Sequence, residues 1–235
     1  MLSATDMRRL FPALVFVAVL AALWLVFVVA PTEREMGVVQ RIFYFHVGSF
    51  WVAFTAFFTV AGASAVYLWK RSLTADRLAQ ASAEVGVLFC TVGLITGPLW
   101  ARPIWGVWWD WDPRLTMTVI LWAIYASYLM LRAFGGDEDA VRRYAAVLGI
   151  VGVIDIPVIR VSVRLLRGIH PSVLTRPEGG SGLTDPRMRA ALFVSALALT
   201  LLAAWLVELR MRSARLEEEV ATLRRRALEV RGEVA

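Results

Sequence analysis

The chain contains six long apolar runs that are separated by short polar stretches. Each run has about the 20 residues that a helix needs to cross the hydrocarbon core of a bilayer. Backbone groups in lipid must pair internally, and none of the runs alternates like a barrel strand. We therefore expect an all-α, polytopic integral membrane protein with six transmembrane helices, in keeping with 59% apolar and 19% charged residues. The runs cover residues 11–30, 47–69, 82–100, 115–131, 144–163 and 187–207.

Six spans place both ends of the chain on one side of the membrane, and loops 31–46, 101–114 and 164–186 on the other. Lysines and arginines are spread almost evenly over the two sides, so the positive-inside rule barely orients the chain. Arginines just after the last span tip the balance slightly toward cytoplasmic termini. No small-residue cleavage pattern follows the first run, so we expect it to be a retained span.

A polar tail, residues 210–235, follows the transmembrane domain of residues 1–209. Leucine or valine recurs every seven residues in it, with a second small apolar position four residues further on, which is typical of a short heptad seam. The pattern predicts a cytoplasmic C-terminal helix. It is either a solvated extension of the sixth span or a helix that docks or dimerises. The seam positions are Leu209, Leu216, Val220, Leu223, Ala227, Val230 and Val234.

A cluster of tryptophans lies between the third and fourth runs. Residues 97–116 read GPLWARPIWGVWWDWDPRLT and contain five of the chain's ten tryptophans. Scattered tryptophans are common anchors at membrane interfaces, but this cluster forms a large flat aromatic surface. Indole rings stack on other π-systems, and a porphyrin is a biological ligand of that shape. The glycines and prolines around the cluster break regular structure, which predicts a shaped loop or short helix at the interface. The five are Trp100, Trp105, Trp108, Trp109 and Trp111.

The chain has only two histidines, His46 and His170, and the six-span topology places both at the membrane face of the tryptophan cluster. Neutral imidazole is a common axial ligand of haem iron. Either histidine alone is more simply a polar residue at the headgroup level. Together, on two sides of an aromatic platform, they predict the two axial ligands of one haem. The single cysteine, Cys90, excludes attachment through a Cys-x-x-Cys-His motif, so we expect non-covalent haem b.

Several arginines lie on the same face. Arg160, Arg164 and Arg167 have the i, i+4, i+7 spacing of one helix face. They either extend to lipid headgroups or pair with the two haem propionates, since guanidinium binds carboxylate bidentately. Arg102 and Arg114 are alternative partners of the propionates.

Three aspartates have readable local roles. Asp112 and Asp185 each precede a proline, and this pairing predicts an N-cap followed by the first residue of a helix. Asp155 lies within the fifth run, where a charge at the bilayer centre costs on the order of 3 kcal/mol. Asp155 therefore either makes a structural hydrogen bond or lines a path for haem.

The run WARPIWGVWWDWDPRLT resembles the tryptophan-rich WWD signature of the haem-handling proteins of cytochrome c maturation. Within that group the chain most resembles the family of cytochrome c maturation protein C, also called haem exporter protein C. That family has one histidine in a Tyr-x-His-Val context, which His46 matches. It has a second, which follows a Pro-x-x-x-x-Ser-Val segment, as His170 follows Pro157, Ser162 and Val163. The resemblance covers nearly all of the span region, and the tail lies outside it.

The resemblance implies a multi-pass protein of the cytoplasmic (inner) membrane, with cytoplasmic termini and haem held on the periplasmic side. There the chain would bind haem between His46 and His170 and present it to a periplasmic haem chaperone, cytochrome c maturation protein E. It also implies association with the subunits of an ATP-binding cassette transporter. No Gly-x-x-x-x-Gly-Lys motif occurs here, so ATP is handled by another chain. Membrane lipid is a further expected partner, and we expect no binding of nucleic acid.

Three rival functions remain open at this stage. A transporter proper would conduct haem across the bilayer itself, along a polar path that includes Asp155. A lyase would catalyse haem attachment, which the absence of a catalytic cysteine or a large additional domain disfavours, so we expect no enzyme. A purely structural adaptor would bind no haem.

Overall fold

The structure is a computed structural model that describes residues 4–136, 138–165, 183 and 185–231. Side chains are described for residues 10–136, 138–162, 183 and 185–229. Two predicted site residues, Arg167 and His170, therefore lie outside the described residues. Arg164 is described by its backbone alone.

The described residues form seven α-helices that carry the six predicted spans. Six helical segments are long and apolar enough to cross a membrane, which confirms the predicted polytopic, all-helical fold. The first helix ends in a π-helical turn, Leu25–Val29, and a 3-10 turn, Val38–Arg41, leads into the second. The helices are α1 (Ala4–Trp24), α2 (Ile42–Lys70), α3 (Leu73–Trp105), α4 (Pro113–Phe134), α5 (Glu138–Gly152), α6 (Asp155–Leu165) and α7 (Pro186–Arg231).

The fifth span is divided into α5 and α6 by Pro157. Proline has no N–H, and its ring clashes with the carbonyl of the residue four positions earlier, here Val153. The chain closes a tight turn instead, in which the Ile156 N–H donates to the Val153 carbonyl at 3.2 Å. Asp155 starts α6, where the positive end of the helix dipole favours a carboxylate. One of its carboxylate oxygens is buried without a hydrogen-bond partner among the described residues, so the predicted structural bond is not seen there.

Helices α2 and α3 pack along most of their length through small side chains. Lipid supplies no hydrophobic force between helices, so close backbone approach and good packing hold them together. Gly93 shows how close the approach is, because a Cβ there would lie 2.6 Å from the ring of Phe50. The buried small residues at this contact include Ala53, Ala56 and Ala63 on α2, and Ala79, Ala83 and Gly86 on α3.

Aromatic residues fill the centre of the bundle. The ring of Phe57 on α2 stacks on Tyr125 of α4, with centroids 3.8 Å apart and planes 7° apart. The Tyr125 hydroxyl donates a 2.9 Å hydrogen bond to the carbonyl of Gly149 on α5. Three helices are thus joined at one buried point, and the polar end of the tyrosine is satisfied there.

A buried charge cluster joins α3, α4 and α5 at one end of the bundle. The Arg132 guanidinium donates to both carboxylate oxygens of Asp76, at 2.6 and 2.8 Å. Arg142 approaches the same carboxylate at 3.4 Å, and Gln80 accepts a 3.1 Å bond from Arg132. On the next helix turn, Glu84 pairs with Arg210 of α7. These contacts tie four helices at the end of the bundle where α3 begins.

Helix α7 runs unbroken through the last apolar run into the polar tail. Its seam residues Leu209, Leu216, Val220 and Leu223 are all exposed. The predicted helical extension is therefore present as far as Arg231. The docking or dimerising role of the seam stays a prediction.

Candidate functional site

The start of α2, the end of α3 and the starts of α4 and α7 meet at one end of the bundle. A second buried cluster holds this end together, and it is separate from the central core. Trp100 of α3 lies within it, edge-on to Phe43 of α2 with ring centroids 5.8 Å apart. The fold therefore places the predicted aromatic residues and His46 at the same end of the bundle.

The tryptophan cluster is built differently from the prediction. Helix α3 continues through Gly97, Pro98 and Pro103 and ends only at Trp105, so these residues do not break it. Gly106 ends the helix, with a φ of 76° that favours glycine, and its N–H donates to the Arg102 carbonyl. In a membrane, an unwound backbone would lose hydrogen bonds that no water replaces, which favours a helix that tolerates proline.

A short loop, residues 106–112, then connects α3 to α4. Asp112 ends it as predicted, because its carboxylate accepts the Arg114 N–H at 2.8 Å and Pro113 is the first residue of α4. The same arrangement recurs at α7, where Asp185 accepts the Arg187 N–H at 2.7 Å. Hydrogen bonds from the Arg187 side chain and backbone lower the pKa of Asp185, so this cap stays ionised to lower pH. Both predicted N-caps are confirmed.

The tryptophans divide into one buried ring and an open surface. Trp100 is buried, and Trp105 lies on it with ring centroids 5.7 Å apart. Trp108 and Trp111 are 58% and 74% exposed. Trp109 packs edge-on to Trp111 at 5.8 Å. The loop therefore presents indole area to its surroundings rather than burying it.

His46 lies in the first turns of α2 and is 5% exposed. Its ring packs edge-on to Phe50 at 5.0 Å and lies 6.0 Å from the ring of Trp100. Its Nδ1 atom is 3.0 Å from the hydroxyl oxygen of Thr96 on α3. The side chain is thus held on three sides by neighbours on two helices.

Two tryptophan N–H groups at the site are buried and have no hydrogen-bond partner within the described part of the chain. They are the Nε1 groups of Trp100 and Trp109. Buried donors normally find an acceptor, so unused donors beside an exposed aromatic surface fit a ligand that brings acceptors. An imidazole, indole faces and free donors together suit a large, flat, partly polar macrocycle such as haem.

Positive charge accompanies His46. Arg114, in the first turn of α4, interacts electrostatically with His46 and with Arg160 of α6. Neither arginine takes part in the ion pairs found among the described side chains. Asp112 offsets part of the charge of Arg114, and one oxygen of its carboxylate accepts the backbone N–H in the cap of α4. Its other oxygen is buried without a hydrogen-bond partner among the described side chains. Arg114, which interacts with His46, and Arg160, which interacts with Arg114, can bind the carboxylates of an anionic ligand.

The structure thus brings together part of the predicted site. His46, Trp105, Trp109 and Arg114 gather at one end of the bundle, together with the exposed Trp108 and Trp111. The other predicted site residues, His170 and Arg167, lie outside the described residues. Sequence reasoning missed Thr96 and gave Trp100 no role of its own. A threonine in an apolar run carries no signal by itself, because only the fold brings it to a histidine 50 positions away.

The chain resembles known proteins over most of its length. A family model described as Heme exporter protein C matches residues 2–226. The Heme exporter protein C of Bradyrhizobium diazoefficiens is 35% identical over 195 residues, which cover 83% of this chain and 73% of that protein. That of Escherichia coli is 31% identical over 202 residues, covering 86% and 81%. That of Paracoccus denitrificans is 30% identical over 200 residues, covering 84% and 80%. The chain therefore belongs to the Heme exporter protein C family.

Proposed function

We propose that the protein binds haem at the outer face of the cytoplasmic membrane and presents it to a periplasmic haem chaperone for cytochrome c biogenesis. The observation that carries the proposal is the position of His46 against the buried ring of Trp100, which in turn contacts Trp105 just before the exposed tryptophan loop. His46 also interacts electrostatically with Arg114. An axial ligand, a flat aromatic wall and a cation are what haem needs from its site. Membership of the Heme exporter protein C family supports the same cargo.

Each site residue has one role in this proposal. His46 and His170 ligate the iron of haem b from opposite faces. Trp105, Trp108, Trp109 and Trp111 hold the porphyrin. Arg114 meets a propionate, and the arginines at the end of the fifth span, Arg160, Arg164 and Arg167, are candidates for the other. The task is binding and transfer rather than catalysis.

The proposal also fixes orientation and partners. Both termini lie in the cytoplasm, and the tryptophan loop lies on the periplasmic side, where the chaperone cytochrome c maturation protein E receives haem. The chain works with ATP-binding cassette subunits of the same haem-export system, as its family resemblance implies. Those subunits handle ATP, since this chain has no phosphate-binding loop of the Gly-x-x-x-x-Gly-Lys kind.

The test is the visible spectrum and haem content of the protein purified in detergent. The wild type should carry haem with the spectrum of two axial histidines. His46→Ala and His170→Ala should each lose that spectrum. A Trp108→Ala, Trp111→Ala double variant should retain less haem, while Trp69→Ala, which removes an exposed tryptophan from the other end of α2, should retain as much as the wild type. A wild type without haem, or histidine variants with an unchanged spectrum, would end the proposal.

The alternative is that the chain itself conducts haem across the bilayer. The observation in its favour is a carboxylate oxygen of Asp155 in the fifth span, which is buried and has no partner among the described residues. The charge cluster around Asp76 weighs against it, because haem would have to pass a tightly paired end of the bundle. The Asp155→Asn variant separates the two functions. If the chain conducts haem, this variant should contain less haem made in the cell but should bind haem added from outside as the wild type does. If the chain only presents haem, both quantities should equal those of the wild type.

A further inference from the structure

Thr96 of α3 contacts both its own helix backbone and the His46 ring. Its Oγ1 atom lies 2.8 Å from the carbonyl oxygen of Val92 and 3.2 Å from that of Gly93. The same atom lies 3.0 Å from Nδ1 of His46. A hydroxyl has one proton to donate and lone pairs with which to accept. A carbonyl oxygen can only accept, so the hydroxyl proton is directed to the helix backbone.

The proton on the imidazole follows from this. Since the Thr96 proton points to a carbonyl, its oxygen meets Nδ1 with a lone pair, which favours Nδ1 as the donor. The Gly93 carbonyl, which also interacts with the ring, can likewise only accept. A neutral imidazole carries one N–H, so Nε2 is then unprotonated. We infer that Thr96 is a positioning residue that holds His46 in the Nδ1–H form and keeps the Nε2 lone pair available to iron.

The same helix contains a second threonine, Thr91, whose two hydrogen bonds have a known direction. Thr91 donates to the Val87 carbonyl at 2.8 Å and lies 2.8 Å from Nε1 of Trp122 on α4. An indole N–H can only donate, so Thr91 donates to its own backbone and accepts from a ring of another helix. Thr96 repeats this arrangement with an imidazole in place of the indole.

Neighbouring rings limit the movement of His46 away from Thr96. Phe50 packs edge-on to the imidazole at 5.0 Å, and Gly93 makes room for Phe50 at the contact between the two helices. A Cβ at Gly97 would lie 3.4 Å from Cε1 of the imidazole, so α3 passes close to the ring. Orientation and proton position are therefore fixed before any ligand arrives. In metal sites, such partners of a ligating histidine change metal affinity by about 10- to 100-fold.

The inference rests on the proposed function for its purpose, but its test does not need haem. We would label the histidine ring nitrogens with ¹⁵N in the His170→Ala background, so that every signal comes from His46. Nitrogen chemical shifts of the haem-free protein, at a pH where the ring is neutral, report which nitrogen carries the proton. The Nδ1–H form should dominate in that background. Thr96→Val should lower the ratio of Nδ1–H to Nε2–H by about five- to tenfold, because one hydrogen bond is lost.

Two matched variants show whether the effect belongs to the hydroxyl. Thr96→Ser keeps the hydroxyl and should keep the Nδ1–H form. Thr91→Val removes the equivalent bond to Trp122 and should leave His46 unchanged, which controls for general damage to α3. An Nε2–H form with Thr96 in place, or an unchanged ratio in Thr96→Val, would overturn the inference.

Haem retention gives the second readout, in the protein with both histidines. Haem should be lost about 10- to 100-fold more readily from Thr96→Val than from Thr96→Ser. Equal retention in the two variants would remove the role in ligation. A wild type that binds no haem would overturn the proposed function, while the proton position on His46 would still be measured independently.

Discussion

The role of Asp112 could be predicted from its immediate neighbours in the sequence. Its carboxylate caps α4 at the first turn, as the Asp-Pro pair predicts, because capping depends only on neighbouring residues. The contact between Thr96 and His46 has no such local signal. It arises from the packing of α2 on α3, which an isolated sequence does not specify. The sequence therefore predicts His46 as a ligand, and the structure adds its contact with Thr96.

Removal of the Asp112 cap should cost about 1 kcal/mol of stability, because an N–H at the start of α4 loses its acceptor. We expect Asp112→Ala to lower the midpoint of thermal unfolding, and Asp112→Asn, which can still accept, to lower it less. Asp110→Ala is the matched control, since Asp110 is exposed in the same loop. Equal midpoints of thermal unfolding for the Asp112→Ala and Asp110→Ala proteins would show that the cap does not stabilise the start of α4.

At the scale of helices, the spans were predictable and their ends were not. Apolar runs mark what lies in lipid, but α3 extends well beyond its run, from Leu73 to Trp105. The prediction that Pro98 would break regular structure was wrong. In a membrane no water replaces the backbone hydrogen bonds that unwinding would break, so the helix continues through the proline. Pro157 does divide its span, where a tight turn satisfies the backbone instead.

The charge cluster at the far end of α3 is an interaction between helices that hydropathy does not reveal. Asp76→Ala would leave Arg132 and Arg142 partly buried without their shared carboxylate. We expect a loss of about 3–5 kcal/mol in the free energy of unfolding in detergent.

Glu219→Ala supplies the comparison for this loss. It removes a solvent-exposed pair with Arg215 on α7, so stability should change by less than about 1 kcal/mol. Similar losses in the two variants would mean that the Asp76 cluster does not join the helices.

At the scale of the whole molecule, six spans determine which loops share a side, and the proposal assigns those sides. Cys90 is fully buried, so Cys90→Ser provides a background for single cysteines in exposed loops. In intact spheroplasts, a membrane-impermeant maleimide should label Glu35→Cys, which lies on the side of the tryptophan loop. It should label Gly136→Cys, between α4 and α5, only after lysis. The reverse pattern would place the haem site in the cytoplasm.

The central claim is that His46 supplies an axial ligand to haem at the tryptophan surface. The most direct measurement is the visible spectrum of haem-loaded His46→Gly with and without added imidazole. The account predicts that the variant loses the spectrum of two axial histidines and regains it when free imidazole occupies the vacated position. A variant that keeps the wild-type spectrum without imidazole, or one that imidazole does not restore although haem is still bound, would contradict the account.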